Sequence, residues 1–69
     1  MSANNYILIR ETKEGNYAMN ERDMDTGDIN QHFGLYPFLK DAVKAAHDYM
    51  KEETVEYGFR IVPYEKKPK

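Results

Sequence analysis

Asp23, Asp25 and Asp28, set around Gly27, come nearer than other residues of this chain to a chemical site, because carboxylates at alternate positions converge on a hard cation such as calcium. The pattern stops short of a calcium loop. Counting from Asp23, Gly27 and Asp28 stand where a carboxylate or amide and then the turning glycine belong, and Gly34 stands where a bidentate glutamate would close the site. The segment therefore reads as an acidic turn, for which Asp and Gly are the usual residues. His32 and His47 are the two histidines, and neither has a ligand-like neighbour in sequence. Zinc needs three or four ligands, and a nucleophilic triad needs Ser, Thr or Cys organised beside a base. No such arrangement is visible, nor is a GxxxxGK loop to cradle phosphates. The expectation is a protein without catalytic residues, metal ligands or cofactors.

The elements that would position any site are clearer. Leu39, Ala42, Val43, Ala46 and Met50 recur at three- and four-residue spacing, which predicts one amphipathic helix over residues 39–53, with Pro37 just before its start. On its outer face Lys40, Lys44 and Lys51 run beside Asp41, Asp48 and Glu52, so Lys44 can pair with Asp48 and Asp41 with Lys44. His47 borders the apolar stripe. Residues 6–10 (Tyr-Ile-Leu-Ile-Arg) are β-branched and aromatic and read as a strand; a polar stretch with Gly15 then leads to a second strand over 17–22. A short third strand is expected over 32–36 and a last one over 57–62, with Pro63 at its end. The fold class is α+β: a three- or four-stranded antiparallel sheet with one helix packed on one face, in the order β-β-(β)-α-β. Residues 1–64 form one small domain, and 65–69 form a basic, disordered tail.

One helix covers one face of a sheet, and the strand period of two assigns the residues to faces. Ile7, Ile9, Tyr57, Phe59 and Ile61 should meet the helix. Tyr6, Leu8 and Arg10, with Gly58, Arg60, Val62 and Tyr64, should lie on the other side. Aromatic and aliphatic groups beside arginine are typical of recognition surfaces, so Tyr6, Leu8, Arg10, Arg60, Val62 and Tyr64 are the expected partner-binding residues. The competing reading is that these side chains only shield strand edges or pack under the tails. A protein partner or a second copy of the chain would use this face. The alternative is nucleic acid, with Tyr6 and Tyr64 stacking bases and Arg10 and Arg60 holding phosphate.

Composition narrows the setting. A chain of 69 residues makes one domain and buries only about 60% of its unfolded surface, so stability should be marginal. The absence of cysteine removes disulfides and thiolate metal sites and suits a reducing cytoplasm. No run approaches the length and apolarity of a membrane span, and no signal-like segment follows Met1. The net charge of −2 is too small to mark a nucleic-acid binder by itself, although acids dominate residues 11–28 while the tail ends in lysines.

Two resemblances add to this. Glu14-Gly15-Asn16-Tyr17 followed by the helical segment Lys40-Asp41-Ala42-Val43-Lys44-Ala45-Ala46 resembles antitoxins of the HicB type, over about half of the chain. Leu39-Lys40-Asp41-Ala42-Val43, through Tyr57-Gly58-Phe59-Arg60-Ile61-Val62-Pro63 and the lysine-ended tail, is similar to the helix, last strand and tail of the small T7-type phage inhibitor of bacterial RNA polymerase. These resemblances imply a phage or mobile-element origin and a non-enzymatic inhibitor or regulator that binds a host bacterial protein or protein complex.

Overall fold

The computed structural model describes residues 4–65. The chain forms β1 (Asn5–Glu11), β2 (Tyr17–Asp23), β3 (Ile29–Tyr36), α1 (Leu39–Glu52) and β4 (Phe59–Val62), in a four-stranded sheet of order β3-β2-β1-β4. The expected α+β order is present, with the third strand longer than the sequence indicated. The sheet is mixed rather than wholly antiparallel. β1, β2 and β3 are joined by turns and run antiparallel, but α1 carries the chain back across the sheet, so β4 lies parallel to β1.

Local chemistry explains the boundaries. At the β1–β2 turn, Gly15 takes φ 89° and its N–H donates to the Thr12 carbonyl, while Thr12 N–H donates to Asn16. Asp23 Oδ1 accepts from the backbone N–H groups of Asp25 and Thr26 at 2.8 and 3.0 Å, which builds the acidic turn. Phe38, with extended backbone, precedes the first turn of α1, and its carbonyl accepts from Asp41 and Ala42.

The core lies between α1 and one face of the sheet. Ile7, Ile9 and Met19 are fully buried against Ala42 and Ala46, whose small side chains bring the helix close to the strands. Phe59 packs on this cluster as expected, but Tyr57 and Ile61 do not belong to it. β4 begins only at Phe59, after a turn in which Gly58 takes φ 69°, so Tyr57 precedes the strand and is exposed. Ile61 has the right parity, sitting beside Ile9, yet on the outermost strand it stays 44% exposed. Among the described residues, Lys44 pairs with Asp48 as expected, and Lys51 also approaches Asp48; the expected Asp41–Lys44 pair is not formed. The lysines at positions 66, 67 and 69 of the expected tail lie outside the described residues.

Candidate functional site: the open sheet face

A principal-axis extent of only 15 Å is the thickness of one helix on one sheet, and no described element lies on the second face. Strand pairing states what that face carries. Residues directly opposite across a ladder share a face, so β1 contributes Tyr6, Leu8 and Arg10, opposite Arg22, Asn20 and Ala18 of β2. On the other side of β1, Arg60 and Val62 of β4 stand beside Leu8 and Arg10. β3 adds Ile29, His32 and Leu35, opposite Arg22, Asn20 and Ala18.

Five of the six residues assigned to this face from sequence, Tyr6, Leu8, Arg10, Arg60 and Val62, are therefore brought together. Tyr64 is not placed there by the ladder. β4 ends at Val62, and beyond Pro63 the Tyr64 backbone N–H donates to the Glu11 carboxylate at 2.9 Å, so strand alternation no longer assigns its face. Sequence reasoning missed Arg22, Asn20 and His32. Arg22 was legible in principle, because the length of the turn around Gly15 sets the β1–β2 register. His32 was not. Two register shifts between β2 and β3 break the alternation, turning Phe33 toward the core, where its ring meets Tyr49 edge-on at 4.8 Å, and leaving His32 opposite Asn20.

The centre of the face is closed and its periphery is cationic. Leu8 and Asn20 face each other and are buried although no layer covers them, because longer neighbours surround both. Arg22 Nε donates to Asn20 Oδ1 at 3.0 Å, and Arg22 also reaches the Gly27 carbonyl at 3.3 Å. The Arg60 guanidinium lies 5.4 Å from the centroid of the Tyr6 ring, a cation–π contact. Arg10, Arg22 and Arg60 are all the arginines of the chain, and all three are on this face. Every acidic residue of the strands (Glu11, Glu21 and Asp23) falls on the opposite, helix-covered face. Among the described residues no arginine is engaged in a salt bridge.

The covered face holds a polar cluster that the sequence did not reveal. The Glu21 carboxylate, 9% exposed, accepts from the Tyr49 hydroxyl at 2.9 Å and from the Asn5 side-chain amide. Asn5 also donates to the Thr54 carbonyl and accepts from Glu56 N–H, tying the segment after α1 to β1. Burial, then the hydrogen bond to Glu21, pushes the Tyr49 hydroxyl from its ordinary 10.0 up to about 12. All of these donors and acceptors are matched within the fold, so the cluster is a structural tie. Among the described residues there is no group of histidines and carboxylates arranged to hold a metal, and no pocket. His32 is exposed; His47 is also exposed and sets its ring edge-on to Phe59 at 5.3 Å. No helix of the described chain is long and apolar enough to cross a membrane. Comparison with family models, curated proteins and solved structures returned no match.

Proposed function

We propose that this protein is a non-enzymatic binding module whose open sheet face docks an acidic surface of a partner protein. The observation that carries the reading is the sorting of charge: three arginines without ion-pair partners among the described residues, and no strand carboxylate, share a face with the aliphatic groups of Leu35, Ile29 and Val62. Arginine mixed with apolar side chains is the composition of protein interfaces, and an acidic partner is selected because a like-charged one is repelled. Two open faces of the same chain would bring six arginines together, so charge opposes a symmetric dimer through this surface. The resemblances to HicB-type antitoxins and to the T7-type phage inhibitor support a partner within a bacterial complex and a role as its inhibitor or regulator. A cysteine-free chain suits the cytoplasm where such a partner resides.

Nucleic acid is the second reading, favoured by the arginines themselves. Against it, Arg60 already occupies the neighbourhood of the Tyr6 ring, the aromatic group of this face that would stack a base. Affinity capture from nuclease-treated bacterial lysate, comparing the wild-type chain with the R10E/R22E/R60E variant, tests the reading. A protein retained by the wild type and lost by the folded variant is expected. Equal retention by both, or recovery of nucleic acid alone before nuclease treatment, would overturn it.

A further inference from the structure

We infer that the free edge of β4 receives an extended acidic segment of the partner as a fifth strand, with carboxylates beside Arg60 and aliphatic side chains beside Ile61. The inference rests on the docking reading above and states how the partner is held. Among the described residues the sheet has two unpaired edges, β3 and β4, and they are built differently. β3 is interrupted by two register shifts and by Gly34 at φ 126°, irregularities that keep an edge from pairing with another chain. β4 follows β1 through four residues without a shift. Ile7 N–H donates to the Gly58 carbonyl, and in a parallel ladder the partners alternate along the strand. Arg60 and Val62 thus turn their backbone groups to β1, while Phe59 and Ile61 present theirs to the open edge.

The side chains flanking that edge specify the occupant. On the open face Arg60 is exposed, diagonal to Arg10 across the ladder, and no strand carboxylate lies on that face. On the other face Ile61 is exposed next to Phe59, which His47 already shields. An added strand alternates its own side chains between these two faces, so a segment with acidic and aliphatic residues at alternate positions satisfies both. A second copy fits poorly. Antiparallel pairing of two β4 strands about Arg60 sets the two arginines directly opposite, and pairing about Ile61 sets Phe59 against Pro63, which has no N–H to give.

A blocked peptide of alternating glutamate and valine, titrated into the isotope-labelled protein with amide hydrogen exchange followed by NMR, is the test. Exchange at Phe59 and Ile61 should slow by about tenfold or more, with Ile29 to Tyr36 unaffected. The same peptide with alternate backbone nitrogens methylated should lose binding, as should the R60E protein. Ile61→Pro removes the outward-facing N–H together with the Ile61 side chain and should abolish the protection at Phe59; the methylated peptide isolates the backbone contribution without altering the protein. No binding of the unmodified peptide, or binding with exchange at Phe59 and Ile61 unchanged, would overturn strand addition. If the R10E/R22E/R60E variant still loses the captured partner in that case, docking on the sheet face stands alone. Protection that rises with protein concentration in the absence of peptide would instead make the occupant a second copy and overturn the acidic segment.

Discussion

Ile9 and Arg10 are neighbours in β1 and meet opposite fates. Ile9 is fully buried under Ala42 and Ala46, whereas Arg10 stands exposed on the far side of the same strand. The pattern extends over the whole sheet: the covered face holds the apolar core cluster and every strand carboxylate, and the open face holds every arginine, mixed with Leu8, Ile29, Leu35 and Val62. The covered face can accept Glu21 because Tyr49 and Asn5 satisfy it; on the open face Arg22 donates to Asn20 and the Gly27 carbonyl, but among the described residues no arginine has a carboxylate partner. What separates them is therefore more than polarity. One face matches its carboxylate internally, and the other leaves Arg10 and Arg60 exposed to what lies outside the chain.

The contrast breaks first at Ile9. Ile9→Ala should cost about 2–5 kcal/mol, a large part of what so small a domain has, and be seen as a collapse of the thermal transition. Next comes the buried carboxylate. Tyr49→Phe removes one of the two side-chain donors to Glu21 and should cost about 1–3 kcal/mol in urea unfolding near neutral pH. The pH dependence sharpens this. Folding raises the Tyr49 value above its unfolded one, so its contribution is complete below about pH 10 and is lost as pH climbs toward about 12. Unfolding midpoints of wild type and Tyr49→Phe should accordingly converge across that interval; a constant gap would detach the effect from the hydroxyl.

A smaller loss is expected at Gly58, whose φ of 69° sets the entry to β4. A Cβ there would meet nothing within 4 Å, so Gly58→Ala should cost only the backbone penalty of about 1 kcal/mol. The smallest change in stability belongs to the open face. Arg10→Glu should move the melting free energy by no more than about 0.5 kcal/mol while weakening capture of the partner. If Arg10→Glu instead destabilised as much as Ile9→Ala, the arginines would be part of the fold, and the division between the two faces would fail.

The amphipathic helix and the alternation of β1 were legible because their periods are local: Ala42, Ala46, Ile7 and Ile9 reach the core by spacing alone. The candidate surface was legible only along β1 and β4. Arg22 joins it through the β1–β2 register, which depends on how many residues the turn around Gly15 consumes. His32 joins it through shifts that no residue pattern in β3 announces. The parallel course of β4 likewise follows from the path α1 takes across the sheet, not from any property of Phe59 to Val62. The Glu21–Tyr49–Asn5 tie links residues 16 and 28 positions apart in sequence, and nothing local predicts it.

By itself, then, the sequence determined the helix, the approximate position of each strand and which side of β1 meets the helix, since these depend on repeat lengths of two and 3.6 residues; the bounds of β3 and β4 it did not. Tertiary structure alone decided the strand order, the direction of β4, and the gathering of Arg10, Arg22 and Arg60 on one face with the strand carboxylates on the other. The physical reason is that a ladder joins residues distant in the chain. Which of them come to share a face is settled by turns, shifts and crossovers, each of which displaces the register by whole residues and so moves a side chain from one side of the sheet to the other.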